Sequence, residues 1–387
     1  MNNLLKTLRK KYTPEILVEP VNFVNKLNKR LKKGKAMLGG SVAQETNLPG
    51  QHDADVFVIY DDKIDYEDLK NAIKEYDYLV VHGSRDYFQI KNNIVYEIIP
   101  VLKVSKGKKP LNVADMSPLH VSYFQKKTNS LLKSDIRVAK ALFKANNLYG
   151  AESYVKGFSG HVINILIIYY GSFENLLKNA IKWKEKTVID IEKQLKDPLM
   201  EMDKSKLESP LIVVDPVYKY RNAAAALSKE NFMKFKKLAS SFLKNPSEEF
   251  FIKKSLTEEK GIFLKFTPLD GSDDVSGAKI LKIKEYLENK LNDYGFKTKV
   301  VWSFDERLIL LKPKIKELPK KFVKQGPPLN FQEHVSHFKQ KYGKTFVEDN
   351  LIKAEVERKY LSIEEYLKKL LTNKYVKERC KNIQIMV

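Results

Sequence analysis

The sequence predicts an α+β chain of several domains, and three observations carry that reading. A small mixed sheet with helices is legible before residue 114, apolar positions then recur at helical spacing to about 255, and strand-like runs return after 256. With 387 residues the chain is long enough for two to four domains, each with its own core. The stretch that organises it runs from Gly39-Gly40-Ser41 to Asp53-Ala54-Asp55-Val56-Phe57-Val58-Ile59. Side chains two apart in an extended segment share a face, so Asp53 and Asp55 can converge on one hard cation with oxygen ligands. A Gly-Gly-Ser turn lets backbone N–H groups and a hydroxyl approach phosphate oxygens. Either feature alone is common in solvated loops; together they suit a metal-bound triphosphate. Glu97, the one acid in the apolar run Ile94 to Pro100, is the candidate third carboxylate.

Taken in order, Thr13-Pro14-Glu15 reads as the start of a helical segment over 13–33. Pro20 interrupts it, leaving Val21 to Leu31 as the regular part, with Phe23, Val24, Leu27 and Leu31 on one stripe. A strand over 55–60, a helix from Tyr66 to Tyr76 and three short strands follow: Tyr78 to His82, Tyr87 to Ile90 and Ile94 to Ile99, the last two joined by an Asn92-Asn93 turn. Beyond Asp115 come a helix with Ile136, Ala139, Lys140 and Phe143 on one face, a buried helix over Val162 to Tyr170 broken by Gly171-Ser172, and an amphipathic helix from Phe173. A further helix is capped by Ser228 and stopped at Asn245-Pro246. The last third shows strands at 261–266, 297–304, 307–311 and 354–358, and helices at 280–291, 331–341 and 363–372. Residues 312–324 read as a basic connector.

The formal net charge of +22 predicts a polyanionic partner, because each neutralised phosphate releases condensed counterions. Lysines interleave with an aromatic residue in Lys297 to Trp302 and in Lys320 to Lys324, a pattern suited to the phosphates and 2′-hydroxyls of an RNA helix or to a plain solvated face. No apolar run reaches membrane-spanning length, and the first residues lack a secretory signal. Cys380 is the only cysteine, which excludes a disulfide framework and a cysteine zinc site within one chain and fits a cytoplasmic setting. His334 and His337 share a helix face but lack a third ligand and read as surface polar groups.

Several blocks then point to one family. They are Gly40-Ser41 with Asp53-Ala54-Asp55, Ile98-Ile99-Pro100, Ser117-Pro118-Leu119-His120, Tyr149-Gly150-Ala151-Glu152, Gly157-Phe158-Ser159-Gly160, Tyr170-Gly171-Ser172-Phe173, and Val213-Val214-Asp215-Pro216 with Arg221-Asn222. In this order they resemble the archaeal class I CCA-adding enzymes, tRNA nucleotidyltransferases of the DNA-polymerase-β-like superfamily. The resemblance implies a polymerase-β-like nucleotidyltransferase head over 1–114, a helical neck over 115–255 that reads the incoming base, and an α+β body and tail over 256–387 that hold tRNA. It implies stepwise addition of C, C and A from CTP and ATP to the 3′ end of tRNA, with two Mg²⁺ ions and, in the family's manner, a homodimer. Carried over by position, Asp53, Asp55 and Glu97 match the metal-binding carboxylates, and Ser41 matches a triphosphate contact. His120, Lys140 and Tyr149 match phosphate and sugar contacts, and Arg221 matches the residue that reads the base edge. The chain departs from the family in carrying Glu97 where Asp is usual and Gln44 where a basic phosphate contact is common, and it is shorter in its C-terminal half. Read by themselves, the residues leave open a poly(A)-polymerase-like enzyme or a non-catalytic tRNA-binding protein, and Arg221 also fits a structural pairing with Asp215.

Overall fold

A computed structural model describes every residue except Ile16, His52, Ser84, Lys106, Gly107 and Val387. The chain divides into two compact units, Met1–Lys254 and Ser255–Val387, each described here by itself.

The first unit begins with helices α1 (Asn2–Lys11) and α2 (Glu19–Asn28) and strand β1 (Lys35–Leu38). A short helix α3 (Gly40–Ala43), strand β2 (Asp53–Tyr60), helix α4 (Tyr66–Ile73) and strands β3 (Tyr78–Val81), β4 (Tyr87–Lys91) and β5 (Val95–Leu102) follow. The five strands form one sheet in the order β1-β2-β5-β4-β3. The β2–β5 pair is parallel and the rest are antiparallel. Alternation along β2 sorts its side chains. Ala54, Val56, Val58 and Tyr60 turn into a core shared with Phe23, Val24 and Leu27 of α2, where Phe23 stacks on Tyr96 with ring centroids 4.1 Å apart. Asp53, Asp55 and Phe57 fall on the opposite face. There Phe57 packs with Val101 and with Val121 of the next helix, so the apolar end of that face is covered.

Two local differences from the sequence reading have simple causes. Pro20 opens α2 rather than interrupting a longer helix, because a first-turn proline lacks only an N–H that would be unpaired anyway. The segment expected to be helical from residue 13 includes Ile16, which lies outside the described residues, and its residues 13–15 and 17–18 are not helical. Helix α1, unmarked by any start signal, forms because Leu5 and Leu8 are buried in the core of the following helices, while Arg9 pairs with buried Asp135 at 2.6 Å.

A short 3₁₀ turn (Val113–Met116) leads into α5 (Ser117–Lys127), α6 (Ser130–Ala145), α7 (Gly160–Tyr170) and α8 (Phe173–Ala180). Strand β6 (Thr187–Ile189), helix α9 (Pro198–Glu201), strand β7 (Leu211–Val213) and helix α10 (Lys229–Lys244) complete this part. The core is aromatic: Phe143, Phe158, Phe173, Phe235 and Phe242 are all buried, with Phe143 and Phe235 ring centroids 4.5 Å apart. Gly171, at φ +76°, ends α7, and the Ser172 hydroxyl accepts from Asn175 N to start α8. The Ser228 hydroxyl caps α10 by accepting from Asn231 N. The parallel pair β6–β7 was not legible, since β6 is three residues between Lys186 and Asp190, too short to show a period, and β7 lies in an apolar run that suits a buried helix equally well.

The second unit builds a four-stranded antiparallel sheet in the order β14-β8-β10-β9, from β8 (Ile262–Pro268), β9 (Thr298–Ser303), β10 (Leu308–Pro313) and β14 (Cys380–Ile385). Helix α11 (Asp273–Tyr294) packs on it through Ile280, Ile283, Leu287 and Leu291, all buried. A second sheet, β11-β13-β12, consists of β11 (Lys321–Pro328), β12 (Phe346–Glu348) and β13 (Leu351–Glu357), with α12 (Gln332–Tyr342) against it. Helices α13 (Ile363–Leu371) and α14 (Lys374–Lys377) precede β14. The end of the stretch expected to be a basic connector is thus strand β11, where Lys321 meets Glu355 at 2.7 Å, and Lys320, just before the strand, meets Glu357 at 3.4 Å. Both lysines are exposed, so these pairs are weak and leave the strand open to a stronger anion. His334 and His337 are exposed, and Arg358 is a structural tie, donating to the Tyr294 carbonyl at 2.7 Å.

Candidate active site

The parallel register of β2 and β5 sets Asp55 directly opposite Glu97 and Asp53 opposite Val95. Because side chains alternate, Asp53, Asp55 and Glu97 share the sheet face that ends in Phe57 and Val101. The acids occupy the uncovered end of that face. Burial, then Glu97, then Asp53 push the Asp55 carboxyl up to about 6. Glu97 is also raised, by burial and by Asp53, against the pull of a 3.2 Å hydrogen bond from Gln89 on β4. These carboxylates raise one another, with only Lys140 opposing at Asp55, and an all-oxygen donor set on one face suits a hard divalent ion.

The turn before β2 is shaped to the same carboxylate. Gly39 N donates to the Asp55 carbonyl at 2.7 Å, and Gly40 sits at φ +57°. A Cβ at Gly40 would lie 1.6 Å from Asp55 Oδ2, so only glycine lets the acid rest against the turn.

Asp55 also lines a cavity of about 350 Å³, a size suited to a small ligand. Ser41, Gln44, His120, Lys140, Tyr149 and Arg221 line it too, brought from α3 and its C-terminus, α5, α6, the loop before α7 and the loop after β7. Asp53 and Glu97 lie outside this lining, on the adjacent central strands β2 and β5.

Lys140 is buried and donates to Thr46 Oγ1 at 2.8 Å and to the Thr46 carbonyl at 3.1 Å. Burial, Lys144 and Arg137 lower it to about 7, with Asp55 opposing. Burial and then Glu152 and Asp55 push the Tyr149 hydroxyl up to about 12, which keeps it a donor. Gln44 is buried and accepts from Asn164 Nδ2 at 2.9 Å, so where the family often has a cation this chain has a neutral amide pair.

The far wall is built around Asp215, which is fully buried. Arg221 Nη1 donates to its Oδ2 at 2.5 Å, and His120 Nε2 lies 3.0 and 2.9 Å from its two oxygens. His161 Nε2 lies 3.2 Å from Oδ2, and Val217 N donates to Oδ1 at 3.0 Å. Burial alone would raise Asp215; the bonds from His120 and His161 overcome it and hold the carboxyl far below the usual range. The loop that carries Arg221 is fixed by Asn222, whose Oδ1 accepts from Val213 N and Ala224 N, both at 2.9 Å. The structural pairing of Arg221 with Asp215 is therefore present, and it leaves the guanidinium at the cavity wall, 27% exposed. His120, His161 and Asp215 are the one set among the described residues with three potential ligand atoms within 4.8 Å of one another; the three acids are spread more widely. Sequence reasoning singled out neither His161 nor Asn164, though both follow Gly-Phe-Ser-Gly on the cavity face of α7.

Three family models match: a nucleotidyltransferase domain over 21–110, the second domain of tRNA nucleotidyltransferase over 134–252, and the CCA-adding enzyme C-terminal domain over 260–383. The CCA-adding enzyme of Methanocaldococcus jannaschii is 33% identical over 364 residues, covering 87% of this chain and 81% of that one. The chain belongs to the CCA-adding enzymes. Other relatives in this family include that of Saccharolobus islandicus, 32% identical over 89% of this chain and 85% of its own, and that of Nanoarchaeum equitans, 34% identical over 81% of each. The fold of this CCA-adding enzyme is shared by a cytoplasmic RNA terminal U-transferase, with TM-score 0.51, 13% identity and coverage of 66% of this chain and all of that one. A poly(U) polymerase structure gives TM-score 0.51 at 10% identity, over 65% and 98%. At such identities the likeness is one of fold alone.

Proposed function

We propose that Asp53, Asp55 and Glu97 hold the divalent ions of this CCA-adding enzyme and that the adjoining cavity takes the incoming CTP or ATP. As a member of its family the chain is a tRNA nucleotidyltransferase, adding C, C and A in turn to the tRNA 3′ end without a nucleic-acid template. The observation that carries the residue assignment is the register of Asp55 against Glu97 beside the Gly39-Gly40-Ser41 turn. The reaction joins the terminal 3′-hydroxyl of tRNA to the α-phosphorus and releases pyrophosphate. Magnesium is the ion the oxygen donor set suits; when bound, such ions offset the charge that builds on the attacking and leaving oxygens.

The chain's own residues do the rest. Ser41 and the Gly40 backbone lie beside Asp55, where the triphosphate meets the carboxylates. Lys140, paired with Thr46 when no anion is present, turns its ammonium to the phosphates, and the anion raises its affinity for a proton. Tyr149 donates its hydroxyl to a phosphate or the sugar. Gln44, steadied by Asn164, offers a neutral contact in place of a charged one. Arg221 presents parallel donors to the base edge from a fixed loop. Exposed Lys297, Lys299, Lys320, Lys321 and Lys324 of the second unit supply cationic surface for the tRNA backbone. No helix among the described residues is long and apolar enough to cross a membrane, and the reading places the enzyme in the cytoplasm.

Incubating the protein with tRNA lacking its 3′ CCA and labelled CTP or ATP tests this. C, C and A are expected, in order and then stopping, and Asp55→Ala is expected to abolish addition. Unlimited A addition, no use of CTP, or an active Asp55→Ala enzyme overturns it.

A further inference from the structure

Lys140 has surroundings that a phosphate clamp does not need. A clamp works best as a fixed charge, and arginine supplies one with more donors. Here a buried lysine makes both of its hydrogen bonds to neutral oxygens of Thr46. Among the described residues no carboxylate bonds its ammonium. The charges around it are unequal. Arg137 and Lys144 flank it on α6, about one turn to either side, while Asp55 alone opposes them from β2. Tyr149 approaches from the loop before α7, its ring under Lys144 Nζ at 4.8 Å. Gly160 leaves room there, since an added Cβ would lie 2.8 Å from Tyr149 Oη and 3.6 Å from Lys140 Cε. Burial and the two cations lower Lys140 to about 7, so it can release a proton near neutrality. Thr46 suits either state, because a hydroxyl accepts from an ammonium and donates to an amine.

The departing pyrophosphate is the group that gains from a proton. As the 3′-hydroxyl oxygen bonds the α-phosphorus, the bond from that phosphorus to the bridging oxygen breaks, and its electron pair stays on the pyrophosphate. The other donors lining the cavity are poor acids or are engaged. Arg221 keeps its protons at any working pH. Burial, Glu152 and Asp55 push the Tyr149 hydroxyl up to about 12. Burial and His120 lower His161 to about 4, which leaves it neutral, and His120 is bound to Asp215.

We propose that Lys140 is the general acid of the reaction, its ammonium turning from Thr46 to the β- and γ-phosphates and passing a proton to a pyrophosphate oxygen as the α-phosphorus bond breaks. The amine then takes a hydrogen bond from the Thr46 hydroxyl and regains a proton from water. The proton shed by the 3′-hydroxyl goes to solvent, so none is gained or lost overall. The inference rests on the reading of this cavity as the nucleotide site.

CTP analogues with CH₂, CHF or CF₂ in place of the β,γ-bridging oxygen are the probes. In that order they make the leaving group more acidic while base and sugar stay the same. In single-turnover addition to tRNA lacking CCA, at saturating analogue, the native enzyme is expected to use all of them at nearly one rate, because the acid supplies what a basic leaving group lacks. Lys140→Arg keeps the charge but cannot release a proton. It is expected to hold the KM for CTP near the native value, to lose about a hundredfold in rate with the CH₂ analogue, and to recover most of that with CF₂. A steep dependence already present in the native enzyme overturns the proposal whatever the variant does. So does a Lys140→Arg enzyme, shown folded by its melting curve, whose rates with the analogues stand in the native ratio. A native enzyme that adds no C at all, or a Lys140→Met enzyme with the native KM for CTP, overturns instead the nucleotide-site reading beneath it.

Discussion

Replacing Gly40 by alanine tests the geometry of the acid site without touching an acid. The new Cβ would lie 1.6 Å from Asp55 Oδ2, where real Cβ contacts are essentially never under 3.0 Å, so the carboxylate must retreat by at least about 1.4 Å. Displacements of about 1 Å at a reacting centre lower rates about a hundredfold. The left-handed backbone of Gly40 adds roughly 1–2 kcal/mol of strain for any residue with a Cβ. Gly171→Ala is the matched control: its φ is +76°, but nothing lies within 4 Å of the added carbon. Single-turnover incorporation of CTP onto tRNA lacking CCA, with thermal unfolding of each variant, separates the two effects. Both variants are expected to lose similar stability, and only Gly40→Ala to lose about two orders of magnitude in rate. A Gly40→Ala enzyme within threefold of the native rate would refute the placement of Asp55 in the reaction.

Four further outcomes follow. Glu97→Gln removes one of the charges that raise Asp55, so the metal-free variant is expected to melt higher than the native protein while its rate falls about a hundredfold; calorimetry beside the incorporation assay checks both. The raised Asp55 carboxyl means that the metal-free fold binds a proton more tightly than the unfolded chain, so stability is expected to fall as pH rises from about 4 to about 6, and Asp55→Asn to flatten that slope in pH-resolved melts. Lys140, lowered to about 7, must be charged to hold phosphates, so the KM for CTP is expected to climb above about pH 7 in the native enzyme and to be high and pH-independent in Lys140→Met. Phe235→Ala opens the aromatic core between Phe143, Phe158 and Trp183 and is expected to lower the stability of the first unit by about 3–5 kcal/mol in denaturant unfolding.

Much of this was legible in one dimension. Asp53 and Asp55 share a face because a strand has a period of two, though β2 starts at Asp53, two residues before the strand expected over 55–60. The ends of α7, α8 and α10 are written in Gly171, Ser172, Ser228 and Asn245, because helix caps depend on residues within one turn. The family blocks, from Gly40-Ser41 to Arg221-Asn222, stand in order along the chain, and the relatives' identity rests on them and on the rest of the sequence.

Contacts between distant segments were not legible, because no local pattern encodes them. Nothing near residue 164 announces that Asn164 will hold Gln44, or that Lys140 will rest on Thr46. Helix α1 exists for the core into which Leu5 and Leu8 pack, and packing of that kind outweighs weak local signals. The saturation of Asp215 by Arg221 and two histidines from other helices is likewise a product of folding. The sequence by itself determined which residue types carry the chemistry and which elements bear them. The tertiary structure alone decided which of those residues face one another, since partners far apart in the chain meet only when the core that joins them closes.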